Sequence, residues 1–332
     1  MAKKRILTGD RPTGSLHLGH YVGSIQNRVK LQSEGNEVFT IISDFQYLTD
    51  RLDTKDVEQN TIGLLLDYLA CGINPDISPI FIQSRVPALA ELFVYFSMLV
   101  PVSRAQQNPT VKEEVRATAQ GKMSLGMLSF PVSQAADILA FDADLVPVGE
   151  DQLPHIEQTR EVARAFNRVY GETFKEPEAL LSKVPRLMGL DADQKMSKSR
   201  GNAVFLSDST DTVVKKIKAA VTDSGKEIVY DKEKKPALAN LLMMYHLFSG
   251  KEIRTIETMY EGKGYAEFKT DLAEVVNVFL EPIRSAREEF AKDTTYCALV
   301  LKKGTERAIE ESEKTMRRAR KAMRYDYPSI FH

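Results

Sequence analysis

Two short stretches hold residues whose types and spacing could act on a phosphoryl group. Thr13-Gly14-Ser15-Leu16-His17-Leu18-Gly19-His20 sets two histidines three apart around a glycine, directly after a short apolar run. If that run is a strand and the next segment a helix, the helix start offers backbone N–H groups and its dipole to an anion. Gly19 lets a flat base or a phosphate come close to the backbone. Imidazole N–H groups can donate to an oxygen whose charge grows in the transition state. The second stretch is Lys195-Met196-Ser197-Lys198-Ser199, with Gly201 beyond it. Its lysines are flexible point charges, and its small neighbours let a loop move and close. Each stretch alone has a plainer explanation. Paired histidines are often structural or metal-binding, and a lysine-rich loop is often a solvated linker. Occurring together, they point to chemistry on phosphates.

Other routes to that chemistry are missing. Every Gly-Lys pair (121–122, 225–226, 250–251, 262–263) lacks the Ser/Thr of a P-loop, and neither a GxGxxG after a strand nor an HExxH appears. No Ser-His-Asp or Cys-His arrangement stands out. Two further polar groups do. Asp137 lies one helical turn after Gln134, and Asp151-Gln152 follow the apolar run Leu145–Val148. Both aspartates suit helix caps as well as pockets.

These residues need a scaffold that brings them together. Strand-like runs at Ile6–Thr8, Val38–Ser43, Ile80–Gln83 and Leu145–Val148 alternate with helical segments from about Gly19 and at Val57–Ala70, Ala88–Leu99 and Gln152–Arg168. The expectation is an α/β fold with a doubly wound parallel sheet, its ligands beyond the carboxyl ends of the strands. The residues just after Thr8, Ser43, Gln83 and Val148 are then the ones to watch. From about Asp208 the apolar spacing turns helical throughout (Val213, Ile217, Val221; Leu238, Leu241, Leu242, Tyr245; Leu272, Val275, Val276, Phe279). A catalytic unit over 1–205 and a helical unit over 206–332 are expected, with 195–199 near the junction.

At 332 residues, 43% hydrophobic and 27% charged, the chain is of ordinary globular type. MAKKRILTGD reaches a turn before any long apolar run, so no secretory signal is expected, and no stretch is long enough to span a membrane. Cys71 and Cys297 form no CxxC, and a cytoplasmic location is expected. The net charge of −1 does not point to nucleic acid. The run Lys314–Arg324 carries six basic residues and no acidic one, either as a solvated helix face or as a phosphate-backbone contact. The chain contains no tryptophan.

HLGH and KMSKS, in this order on an alternating α/β half, resemble the two signatures of class I aminoacyl-tRNA synthetases. GDRPTGSLHLGHYVGS (9–24), PVSQAADIL (131–139), VPVGEDQ with His155 and Glu157 (146–157), and AVTDSGKEIVYDKEKKP (220–236) resemble the tryptophanyl branch, over nearly the whole chain. The resemblance implies a Rossmann-like catalytic domain and a helical anticodon-binding domain. The implied reaction joins tryptophan to ATP as an adenylate, releases pyrophosphate, and passes the aminoacyl group to tRNA(Trp). Neither step needs an enzyme nucleophile, so positioning and charge stabilisation suffice. By resemblance His17, Gly19, His20, Asp151, Lys195, Met196, Ser197 and Lys198 hold ATP. His17, His20, Lys195 and Lys198 serve catalysis, and Mg²⁺ arrives through ATP oxygens. Leu7, Gly9, Gln46, Gln134, Asp137, Val146, Val148 and Gln152 hold tryptophan, with Asp137 reading the indole N–H and Gln152 the α-amino group. A homodimer is implied. Tyrosyl relatives usually carry a Tyr hydroxyl where Leu7 stands, and Leu7 offers nothing to a phenol. That favours tryptophan over the tyrosyl alternative, and intact motifs argue against a synthetase-like protein without activity. Phe130 stands where a Tyr is common and Gln46 where a His is common.

Overall fold

A computed structural model describes residues 3–49, 51–112, 123–181 and 187–331. The apolar runs fold as strands β1 (Arg5–Asp10), β2 (Glu37–Ile42), β3 (Ile80–Ile82), β4 (Leu145–Val148) and β5 (Glu178–Leu181), all parallel, in the order β3-β2-β1-β4-β5. The order reverses between β1 and β4. That is where such a sheet opens a crevice beyond its carboxyl ends. β2 is buried along nearly all of its length and β1 over Ile6, Leu7 and Thr8, as a sheet covered on both faces requires. At the register pair Gly9–Ile41 a side chain on residue 9 would sit 1.9 Å from the Ile41 carbonyl oxygen, so only glycine fits.

The longer helices are α1 (Gln26–Ser33), α2 (Val57–Ala70), α3 (Pro87–Ser97), α4 (Leu125–Ala140), α5 (Leu153–Tyr170), α6 (Thr210–Ala219), α7 (Pro236–Ser249), α8 (Tyr265–Lys292) and α9 (Thr294–Met323). A short helical turn Leu18–His20 and a π-helical turn Tyr21–Ile25 lead into α1. Among the described residues no strand follows β5, as the helical spacing after Asp208 led us to expect. β5 was not anticipated. It is short, begins with an exposed glutamate and runs at the sheet edge.

Two large apolar clusters hold the molecule. Phe39, Phe81, Phe96, Phe141, Phe166 and their neighbours fill one side of the sheet. The other cluster joins Leu16, Leu18 and α2 to Met196, Val204, Leu206 and the helices from α6 onward. The first histidine-bearing turn, the lysine loop and the helical region therefore share one core. Helix α9 returns to cover the other sheet edge. A side chain on Gly304 would lie 2.0 Å from the Ile80 carbonyl oxygen, so helix and strand meet backbone to backbone. Covering an edge strand in this way also removes a template for unwanted pairing. Among the described residues no helix is long and apolar enough to cross a membrane.

Candidate active site

Beyond the carboxyl end of β1 the chain turns through Arg11–Gly14 and enters Leu18–His20 with His17 at the helix start. The His17 and His20 rings lie 3.7 Å apart between centroids, and His20 Nδ1 accepts the His17 backbone N–H at 3.2 Å. His17 is buried, and its Nδ1 is a buried atom with no hydrogen-bond partner. Burial, the second ring and Lys198 push the His17 imidazole down to about 3. Burial pushes His20 down to about 4, although Asp10 pulls the other way. Both rings are neutral near pH 7. A nearby anion would favour charging them, as Asp10 already does in part.

The lysine loop is docked onto this turn. The Leu18 N–H donates to the Val204 carbonyl at 2.9 Å, the Leu206 N–H donates to Leu16 at 2.9 Å, and His17 bridges to Phe205. The first helix-start donor is thus already used by the chain itself, which the sequence did not reveal. Met196 is buried beside Gly19, and a side chain on Gly19 would come within 3.0 Å of the His17 ring. Lys198 Nζ donates to the Gly14 carbonyl and lies 3.4 Å from Thr13 Oγ1. Burial lowers its pKa below the ordinary lysine range, against the pull of Asp10 and Asp67. Lys195 is exposed. Asn202, which sequence reasoning missed, holds the loop in shape. Its Oδ1 accepts the Ser197 N–H at 2.9 Å, and its Nδ2 donates to Asp191 at 2.9 Å and to the Lys195 carbonyl at 3.3 Å. Gly201, at φ +68°, ends the turn Lys198–Arg200 in the left-handed region. The Ser199 side chain lies outside the described residues.

Beside this face a cavity of about 330 Å³ opens at the reversal of strand order. All eight side chains or glycines expected around an aromatic amino acid line it: Leu7, Gly9, Gln46, Gln134, Asp137, Val146, Val148 and Gln152. Leu7, Val146 and Val148 belong to β1 and β4, and Gln134 and Asp137 to α4. Ser124 caps α4 by accepting the Met127 N–H at 3.1 Å. Asp151 is not among the lining residues. It sits on the short turn Glu150–Gln152, exposed, and a side chain on Gly149 would lie 2.7 Å from its Oδ1.

Asp137 is buried at the cavity wall. Gln83 Nε2 donates to its two oxygens at 2.9 and 2.8 Å, and Gln46 Nε2 donates to Oδ2 at 3.2 Å. Burial pushes this carboxyl up to about 8. The two glutamines hold it down and Asp44 adds to the rise. Gln83 is the residue whose role the sequence hid, although the end of its strand was marked for attention. Phe130 lines the cavity with its ring 5.2 Å from that of His155, and His155 is held neutral by burial. The polar end is formed by Asp10 and the fully buried Arg28, 2.8 Å apart, with the Tyr68 hydroxyl donating to Asp10 at 2.7 Å. Arg28 holds the Asp10 carboxyl well below the usual range, against burial. Asp10 in turn acts on His20 and Lys198, which links the cavity to the histidine turn and the lysine loop.

Residues 2–281 match the family model described as tRNA synthetases class I (W and Y). The chain is 44% identical to the tryptophan–tRNA ligase of Clostridium longisporum, covering 98% of both chains. It is 43% identical to that of Lactococcus lactis, covering 98% of this chain and 99% of the other. Among solved structures it resembles tryptophanyl-tRNA synthetase from Campylobacter jejuni, in complex with ADP and tryptophan. That match has a TM-score of 0.84 and 33% identity over 96% of this chain and 99% of that one. A tyrosyl-tRNA synthetase from Archaeoglobus fulgidus, at 21% identity and a TM-score of 0.67, shares the fold.

Proposed function

The chain belongs to the class I tRNA synthetases for tryptophan and tyrosine, and from that premise we propose that it is a ligase that activates L-tryptophan with ATP and charges tRNA(Trp). The observation that carries this reading is the buried carboxyl of Asp137 at the wall of the cavity that Leu7, Val146, Val148 and Phe130 also line, beside a face built from His17, His20 and Lys198.

An indole N–H is a donor only, and Asp137 gives it an acceptor. Leu7, Val146 and Val148 take the ring faces. Gln152 takes the α-amino group, and Phe130, lacking a hydroxyl, leaves that task to it. Gln46 supports Asp137. The tryptophan carboxylate then lies toward Asp10 and the histidine turn and attacks the α-phosphorus of ATP as pyrophosphate leaves. His17 and His20 donate to phosphate oxygens, and the orphaned His17 Nδ1 suits that duty. Lys195 and Lys198 meet the charge that develops on the leaving group. Gly19 makes room for adenine, Asp151 holds the ribose, and Met196 and Ser197 carry the lysines. Mg²⁺ arrives with the nucleotide substrate, held through its phosphate oxygens and water.

Residues 206–332 take the anticodon, with Arg317, Lys321 and Arg324 exposed on α9 and its end for its phosphates. A second copy of the chain covers the apolar groove lined by Phe45, Leu48, Leu89, Phe93 and Phe130 next to the cavity. The enzyme works in the cytoplasm, with its ATP and tRNA.

The test is ATP–pyrophosphate exchange with tryptophan and with tyrosine, side by side. Exchange with tryptophan alone is expected. Exchange with tyrosine would mean that Leu7 does not decide the ring. Tight tryptophan binding without exchange would leave a binding protein.

A further inference from the structure

We infer that Gln83 is a positioning residue for amino-acid selection, because its carboxamide donates to both Asp137 oxygens and so orients that carboxyl as a hydrogen-bond acceptor. The inference rests on the reading of Asp137 as the group that meets the indole N–H.

A glutamine amide can present either end. At Gln83 the choice is made by the backbone. The Phe45 N–H donates to Gln83 Oε1 at 3.0 Å, so Nε2 must point the other way, where both Asp137 oxygens lie at 2.8 and 2.9 Å. Flipping the amide would cost the Phe45 bond and set two acceptors face to face. Gln83 is fully buried, so water offers no substitute. Its mounting is also rigid. The Ser84 N–H donates to Asp44 Oδ1 at 2.8 Å and the Ser84 hydroxyl to Asp44 Oδ2, which clamps the turn after β3 to the turn after β2.

No cation pairs with Asp137 among the described residues, and the charged neighbour that acts on it, Asp44, repels it. Its negative charge therefore depends on amide donors, and Gln83 supplies the two shortest contacts. A ligand N–H completes the set. A ring without one leaves a buried carboxylate short of a donor, which is how a site rejects an analogue strongly.

The experiment uses the intact chain and titrates L-tryptophan by its own emission, with L-phenylalanine as competitor, between about pH 6 and about pH 8.5. Arg11, Asp10, Arg28 and His155 also line the cavity. Asp10 and Arg28 stay paired over that range, and His155 stays neutral. In the parent protein tryptophan affinity should rise with pH as Asp137 ionises. Gln83→Met should weaken tryptophan binding about tenfold or more. It should also lower the preference over phenylalanine, while kcat at saturating tryptophan and KM for ATP stay near the parent values. Gln83→Glu should reverse the pH slope. Below the point where the two carboxyls lose their last shared proton, the introduced one donates that proton to Asp137 in place of the amide. Above it the two carboxylates repel.

A merely structural role would not reverse a pH slope. If Gln83→Met fails to fold, the slope of Gln83→Glu decides alone. Gln83→Met binding within threefold of the parent, or Gln83→Glu keeping the parent slope, overturns the inference. Asp137→Asn separates the two levels. Undiminished preference for tryptophan in that variant removes the reading of Asp137 itself, whereas a lost preference there with none lost on changing Gln83 removes only the role of Gln83.

Discussion

At the scale of single residues, the site runs on side chains held away from their ordinary protonation states by burial, and the signs oppose one another. His17, His20 and His155 stay neutral when folded but charge near the usual histidine value when unfolded. The unfolded chain then binds more protons, so these groups withdraw stability as pH falls from about 6.5 toward 4. Asp137 acts in the opposite sense. Folded, it keeps its proton up to about 8, while unfolded it loses it near 4, so it withdraws stability as pH rises through that window. Asp137→Asn should therefore raise Tm at about pH 8 and leave it nearly unchanged at about pH 4.5, even as tryptophan binding suffers. A Tm shift of equal size at both values would show that Asp137 does not titrate in this range. The paired histidines and the lysine loop stood out by type and spacing, whereas Asp137 was singled out only through the family resemblance, since by itself it suits a helix cap equally well. Gln83 and Asn202 did not stand out. A buried amide gains its meaning from which donor and acceptor it faces, and those lie 38 and more residues away for Gln83.

The elements show what patterning conveys and what it hides. β2 and β4 read clearly, as uninterrupted apolar and β-branched runs do, and Val57–Ala70 emerges with the bounds its periodicity marked. β5 escaped because an edge strand needs no continuous apolar run. The basic run of α9 was ambiguous for a similar reason. Half of it pairs with acids of this chain: Arg320 with Glu91 on α3 at 2.6 Å, Arg318 with Asp142 at 2.7 Å, and Lys314 with Glu311 one turn back on α9 at 2.8 Å. Composition cannot separate a solvated charge from one that pairs with an acid elsewhere in the fold. The contact of α9 with β3 makes its own prediction. Gly304→Val places new atoms where only 2.0 Å separates the first of them from the Ile80 carbonyl, so helix and strand must part. We expect a loss of about 2 kcal/mol or more in denaturant titration, with tryptophan binding retained by the folded fraction. No change in the midpoint would mean that α9 does not rest on that strand.

For the molecule as a whole, Asp67 is the joint. It is fully buried on α2 and accepts the Leu16 N–H at 2.8 Å from the histidine turn and Arg287 Nε at 2.7 Å from α8. One carboxylate thus ties the histidine turn to the helical region. Breaking a buried pair from one side leaves a charge without compensation, so Arg287→Met should cost about 3–5 kcal/mol. Removing both charges in Asp67→Leu with Arg287→Met should recover part of that loss, though the Leu16 N–H then lacks its acceptor. A double-mutant cycle with no coupling would deny the joint. The shared core has a further consequence for anyone seeking the smallest working fragment. A chain cut after Asp293 would keep HLGH, KMSKS and every cavity residue, and by motif content it would pass as complete. It would also bare the outer backbone of β3 and the apolar face beneath Ala308, Met316 and Ala319. Such a piece should clump with its own kind before it could be assayed: the sheet and the apolar cluster on its face are finished only by α9.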